Sequence, residues 1–269
     1  MQDFVHGYEI EAVLQERGNA KVFLIQEDHE FIVMKTIVAE TEKDREQFIR
    51  EITCLQRLNH PNVISFKKEF DCPRAFTMPY IEGLLLRYVI DGGGLSRELI
   101  TQITTKLLQA VEYVHQQGFL HCDLKPENVI IQENGEPILF DFGLNQSINE
   151  TIDLVLGSTN YMPKEVQEGE GWSTAGEVYA LGRIFNELVE QSSEQEELAS
   201  MQEIMSACLK RKEDRPANCT VLLQQLQNLP HCNELVVKKK TIPERKSNKT
   251  MWLWFGVLLL IIIACGIVL

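Results

Sequence analysis

Paired cysteines are missing from this sequence. Its seven cysteines are odd in number and show no Cys-x-x-Cys spacing, which excludes a disulfide framework and fits free thiols in a reducing compartment. Positive charge is also scarce. Lys and Arg number 26 against 39 Asp and Glu, a net charge of −13, so no general affinity for nucleic acid is implied. The polar start, Met1-Gln2-Asp3, carries no signal-peptide pattern. No internal repeat is found. What remains is a chain of 269 residues, 44% of them hydrophobic, able to bury one sizeable core or two small lobes.

The charge is unevenly spread. Lys238, Lys239, Lys240, Arg245, Lys246 and Lys249 gather around a single acid, Glu244, and the cluster's +5 leaves −18 for the rest of the chain. Directly after it, residues 251–269 (MWLWFGVLLLIIIACGIVL) contain no charged side chain. As a helix rising ~1.5 Å per residue this stretch would span roughly 28 Å, close to the hydrocarbon core of a bilayer. Trp252 and Trp254 stand at its polar end, where indoles favour the headgroup region. The segment is therefore expected to be a single-pass C-terminal membrane anchor, with residues 1–250 cytoplasmic by the positive-inside tendency and 230–250 a basic linker. The bland alternative, a buried terminal helix, would normally keep a polar face.

Along the chain, short β-rich runs at 8–10, 21–25 and 31–38 are broken by Gly18-Asn19 and Glu27-Asp28. Residues 42–58 then place Phe48, Ile49, Ile52, Leu55 and Leu58 at a helical period. His60-Pro61-Asn62 stops that helix, and two further strands lead to Tyr80. Gly83 and the Gly92-Gly93-Gly94 run mark a change of architecture. Beyond them Ile100, Ile103, Leu107, Val111 and Val114 form one face of a long helix with Ser96 as its N-cap, and the pattern stays mainly helical to about residue 229.

The chemistry is concentrated in His121-Cys122-Asp123-Leu124-Lys125-Pro126-Glu127-Asn128 and, 13 residues after Asn128, Asp141-Phe142-Gly143. A tight loop of this spacing can aim Asp123 at a substrate hydroxyl and Asn128 at a metal, while Asp141 chelates Mg²⁺ bridging nucleotide phosphates. The set resembles the catalytic loop and metal-binding segment of eukaryotic-type protein kinases. Short bacterial eukaryotic-like Ser/Thr kinases with a C-terminal membrane segment, notably those of spore-forming bacteria, are the nearest resemblance.

That resemblance, over residues 8–229, implies an α+β, two-lobed kinase fold: a small β-rich N-lobe with one helix (8–81), a larger helical C-lobe (82–229), the linker, and a transmembrane helix (251–269). It implies ATP and Mg²⁺. Asp123 would orient a substrate hydroxyl and accept its proton. Lys125 would steady the γ-phosphate, a feature of the Ser/Thr-directed branch. Lys35 would hold the α- and β-phosphates, paired with Glu51 (Glu46 is the nearby competitor). Val22, Val33, Met78 and Tyr80 would line the adenine pocket, and Asn128 and Asp141 would bind metal. In the stretch Gly157 to Glu165, Ser158 would bond Asp123 and Lys125, and Glu165 would pair with Arg215 as a structural ion pair.

Three parts of the pattern depart from the family. The glycine positions of the phosphate-covering loop are Gln15, Arg17 and Ala20, which weakens the expected hold on nucleotide unless Gly18 supplies the bend. Cys122 replaces the arginine that grips an activation-loop phosphate. Activity independent of phosphorylation at Ser147, Thr151 or Ser158 is therefore expected, with Cys122 an inert buried thiol more than a redox switch. Glu177 stands where an aspartate usually anchors the catalytic loop, and its extra methylene puts those hydrogen bonds in question. The expected function is phosphate transfer from ATP to protein Ser/Thr hydroxyls at a membrane. The alternatives are a pseudokinase scaffold, motivated by the missing glycines, and a small-molecule kinase, disfavoured by Lys125 and the 157–165 stretch. Protein substrates, the input signal and the oligomeric state are not legible.

Overall fold

The computed structural model describes residues 4–17, 20–38, 41–71, 74–148, 150 and 157–229. The basic cluster, the apolar 251–269 stretch, Gly18 and Thr151 lie outside the described residues. Among those described, no helix is long and apolar enough to cross a membrane. The chain divides into two compact units. One holds the described parts of Met1–Gln56 with Ile64–Gly83, and the other holds Arg57–Val63 with the described residues from Leu84 onward.

The first unit is built on β1 (Phe4–Val5), β2 (Tyr8–Arg17), β3 (Ala20–Glu27), β4 (Glu30–Ile37), helix α1 (Glu42–Arg57), β5 (Lys68–Asp71) and β6 (Arg74–Pro79). The strands form one antiparallel sheet in the order β1-β2-β3-β4-β6-β5. Strands β2 and β3 run several residues beyond the β-rich runs read from sequence, because their ladder continues to Arg17 opposite Ala20. On β4, Ile32, Met34 and Thr36 are buried, alternating with half-buried Val33, Lys35 and Ile37. The period of two divides the sheet into two faces. Ile32 and Met34 join Phe23, Ile25 and Ala75 in a core packed by Val5, Tyr8, Ile10 and Phe70. Directly paired residues share a face, so the pairings Val22↔Lys35, Lys35↔Phe76 and Val33↔Met78 put these side chains together on the other one.

Helix α1 covers that second face. A capping box starts it: the Asp44 N–H donates to Thr41 Oγ1 at 3.2 Å, and the Thr41 N–H donates to Asp44 Oδ2 at 3.3 Å. Phe48, Ile52 and Leu55 are buried, with the Phe48 ring 5.5 Å from Phe76. Ile49, assigned above to the apolar stripe, is 42% exposed. The buried stripe instead runs through Glu51 and Cys54, because Lys35 draws the Glu51 carboxylate inward.

In the second unit, β7 (Leu84–Leu85) leads into α2 (Leu86–Gly92) and the long helix α3 (Arg97–Gln116). Ser96 caps α3, its side chain accepting from the Leu99 N–H. Ile100, Ile103, Leu107, Val111 and Val114 are all buried as their spacing predicts, each contributing roughly 1.5–3 kcal/mol of burial. Gly93 and Gly94, both with φ +66°, form the α2–α3 turn, and the division between the compact units falls earlier, after Gly83. Short strands follow that the helical reading did not include: β8 (Phe119–Leu120), β9 (Val129–Ile131), β10 (Pro137–Leu139) and β11 (Gln146–Ser147). They make two small sheets, β10-β9-β7 and β11-β8, at either end of the 121–128 octet. Helices α4 (Lys164–Gln167), α5 (Thr174–Glu190), α6 (Ala199–Ser206) and α7 (Cys219–Gln227) complete the unit. Asn62, read above only as part of a helix stop, is buried and bonds β10: its Nδ2 donates to Pro137 O at 2.9 Å, and its carbonyl accepts from the Leu139 N–H at 2.9 Å.

Candidate active site

In the first unit the Lys35 ammonium donates to both Glu51 oxygens, at 2.7 and 2.8 Å. Glu51 is buried and Glu46 is exposed, so the pairing resolves the two candidates. A lysine held by both carboxylate oxygens is fixed in orientation. Val22, Val33 and Met78 lie half-buried on the same face. Tyr80 follows β6 and meets Phe31 edge-on at 6.4 Å; burial, reinforced by Glu82, raises its phenol above the ordinary pKa. The segment expected to cover phosphates is a strand hairpin. Gln15 pairs with Val22, and Arg17 with Ala20, and Glu16 forms an ion pair with Lys21 across it.

In the second unit, the octet bends sharply after β8. Cys122 takes φ +65°, a left-handed conformation uncommon for a side-chain-bearing residue. Glu177, fully buried on α5, holds this bend: its Oε1 accepts from the Cys122 N–H at 2.7 Å, and its Oε2 lies 2.7 Å from His115 Nε2. The extra methylene therefore carries the carboxylate to two partners at once, and both hydrogen bonds are short. Glu177→Asp is expected to lose one of them, since the shorter side chain cannot span both, and so to cost about 1–3 kcal/mol. Chemical denaturation checks this; unchanged stability would mean that the anchor does not depend on side-chain length. His121 adds a second brace. Its Nδ1 accepts from the Asp123 N–H, so the Nε2 proton points to Phe140 O at 3.0 Å.

Asp123 is 8% exposed and surrounded by donors. Its Oδ1 accepts from the Ser158 N–H at 2.9 Å and from the Ser158 hydroxyl at 2.8 Å. Its Oδ2 lies 2.7 Å from Lys125 Nζ and 3.0 Å from Asn128 Nδ2. Lys125 also donates to Ser158 Oγ at 3.0 Å, so one hydroxyl is gripped by a carboxylate and an ammonium together. Gly157 makes this approach possible. Its φ is +120°, and a Cβ there would lie 2.6 Å from the Cys122 carbonyl oxygen, a clash only glycine avoids.

The octet ends in a 3₁₀ turn, Pro126–Asn128. Asn128 Nδ2 donates to Asp123 O at 2.8 Å and to Oδ2. Both amide hydrogens are thereby committed, and Oδ1 is left as the atom able to meet a cation. The Phe140 N–H donates to Asn128 O at 3.0 Å, tying the octet to the strand end just before Asp141. Asp141 is exposed with φ +61°, while Phe142 is buried against His121 at 4.6 Å. Oxygen donors of this kind, an amide and a carboxylate, suit a hard cation such as Mg²⁺.

Farther from the octet, Arg215 is 7% exposed; it donates to Glu165 Oε1 at 2.7 Å and to the carbonyls of Ala175 and Lys210. A network absent from the sequence reading centres on Arg87. It bonds Glu127 of the octet at 2.9 Å, Glu187 of α5 at 2.9 Å and the Tyr161 hydroxyl at 2.5 Å. No spacing announces these three contacts, because Glu127, Tyr161 and Glu187 all stand 40 or more residues away in sequence.

Comparison with known sequences agrees with this arrangement. The protein kinase domain family matches residues 8–249. The chain belongs to that family. Similar proteins include the serine/threonine-protein kinase PrkC of Bacillus subtilis, 30% identical over 195 residues that cover 68% of this chain and 30% of PrkC. The DNA damage-responsive serine/threonine-protein kinase RqkA of Deinococcus radiodurans is 32% identical, with coverage of 66% and 29%. The serine/threonine-protein kinase AtPK1/AtPK6 of Arabidopsis thaliana is 27% identical, with coverage of 69% and 42%. The aligned part of the chain thus spans less than half the length of these relatives.

Proposed function

We propose that this protein is a Ser/Thr protein kinase that uses ATP and Mg²⁺ and works at a membrane surface. The observation that carries the reading is the Asp123–Ser158–Lys125 constellation, in which a buried carboxylate and an ammonium already hold an alcohol between them. A substrate hydroxyl offered to the same pair would donate to Asp123, which accepts its proton, while Lys125 neutralises charge on the phosphoryl group in transit. Lys35, oriented by Glu51, would hold the α- and β-phosphates. Asn128 Oδ1 and the Asp141 carboxylate would hold Mg²⁺, which offsets charge on the phosphates when bound. Val22, Val33, Met78 and Tyr80 would flank the adenine. Catalysis of this kind comes from positioning and charge neutralisation.

Residues 251–269, with the basic residues before them, support membrane tethering. Near an anionic surface each Lys or Arg contributes ~1 kcal/mol. A scaffold reading draws on one observation, the β2–β3 hairpin that carries Gln15, Arg17 and Ala20 in place of glycines.

The test is the full-length protein in detergent with γ-labelled ATP, Mg²⁺ and a basic protein substrate. Label on serine and threonine is expected. Label confined to tyrosine would overturn the Ser/Thr assignment, and nucleotide binding without any transfer, under varied metals, would favour the scaffold.

A further inference from the structure

A second cluster lies behind the catalytic loop, outside the machinery described above. Glu112 and His115 stand three residues apart on α3 and so share one face. Cys219 opens α7, which docks there: the Thr220 N–H donates to Glu112 Oε2 at 3.0 Å. One carboxylate oxygen, one ring nitrogen and one sulfur from these residues lie within 4.8 Å of one another. Cys219 is fully buried, and His115 is 7% exposed.

The histidine ring is the deciding observation. Its Nε2 is taken by the Glu177 carboxylate at 2.7 Å, whereas its buried Nδ1 has no hydrogen-bond partner among the described residues. Leaving a buried polar atom unpaired costs about 1–3 kcal/mol. With the Nε2 proton directed to Glu177, Nδ1 carries the lone pair, which is the form of imidazole that binds metals; a carboxylate on the opposite nitrogen is the usual outer partner of such a ligand.

We propose that Glu112, His115 Nδ1 and Cys219 Sγ form a binding site for one divalent ion of borderline softness, best matched by Zn²⁺. A sulfur, nitrogen and oxygen set selects Zn²⁺ over Mg²⁺ or Ca²⁺, which prefer oxygen alone. Zn–S bonds of about 2.3 Å and Zn–N bonds of about 2.0–2.1 Å set ligand atoms ~3–4 Å apart, so the cluster contracts by about 1 Å on binding. Glu112 keeps its hydrogen bonds from Thr220 and Gln116, because each carboxylate oxygen has a second lone pair. It is also the half-exposed member, which gives the ion a way in and water a fourth position. On binding, the Cys219 thiol releases its proton to solvent as the Zn–S bond forms; the thiolate and the Glu112 carboxylate then neutralise the ion. Glu177 links the site to function, since the carboxylate that holds His115 also holds Cys122 N, next to Asp123.

Cobalt titration of the reduced, metal-free, full-length protein in detergent tests the site. One equivalent of Co²⁺ is expected to give thiolate-to-cobalt absorption that Zn²⁺ displaces and Cys219→Ser abolishes. Glu112→Gln, at a half-exposed position, is expected to weaken Co²⁺ binding by at least about ten-fold. No thiolate band in the wild type, or an equal band in Cys219→Ser, would overturn the proposal. Should Cys219→Ser fail to fold, an unchanged Co²⁺ affinity in Glu112→Gln would overturn it instead.

Discussion

Asp123→Asn is expected to lower phosphate transfer by about 10²–10⁴-fold, the usual contribution of a positioned general base. The replacement keeps the shape of the side chain and removes its ability to take a proton. It also turns one oxygen into an NH₂ group facing donors, since Lys125, Asn128 and Ser158 all point hydrogens at this carboxylate. The residues proposed to hold nucleotide, Lys35 and Asp141, are untouched. The loss should therefore fall on kcat, with the KM for ATP close to wild type. Steady-state kinetics at varied ATP separates the two, and circular dichroism confirms the fold. Wild-type turnover in this variant would remove Asp123 from the chemistry and the kinase reading with it.

Arg215→Ala is expected to destabilise the protein by about 3–5 kcal/mol, the cost of leaving a buried charge without its partner. The guanidinium is the shared donor for Glu165 and for the carbonyls of Ala175 and Lys210, so its removal strands three acceptors. For a unit of this size the thermal midpoint should fall by at least about 6 °C. Glu165 gives an independent check through pH. Burial pushes its carboxyl upward, yet the Arg215 hydrogen bond, a backbone hydrogen bond at Glu165 and the charges of Arg215 and Lys212 together hold it below the ordinary 4.5. A carboxyl whose folded pKa is depressed stabilises the fold fully above its unfolded value, and that contribution disappears as pH falls through the folded value. Wild-type stability should thus drop more steeply below about pH 4.5 than that of Arg215→Ala, as measured by denaturant titration across pH. Parallel acid profiles would show that the pair contributes nothing.

Much of the site was legible because its parts are close in sequence. Asp123, Lys125 and Asn128 come from one octet, so their mutual geometry follows from a single turn of chain. Helix α3 was legible for a similar reason: its apolar residues repeat at the helical period, and Ser96 stands at the position that caps it. The hairpin at Gln15 to Ala20 shows a limit of such reading. The missing glycines were visible in sequence, whereas the continuous pairing of Arg17 with Ala20 was not, because pairing is decided by the partner strand.

Residue identity and spacing set which groups are on offer: a carboxylate at Asp123, an ammonium two residues on, oxygen-bearing side chains at Asn128 and Asp141, and an apolar stretch behind a basic cluster. Packing in three dimensions settled which side chains meet. It chose Glu51 over Glu46 for Lys35, turned Ile49 outward, brought Glu177 to Cys122 and His115 together, and closed Gly157 onto the Cys122 carbonyl. Spacing along the chain reports on neighbours within a turn or two. These contacts join residues that sequence keeps far apart, and they form only where packing leaves a buried polar group to be satisfied.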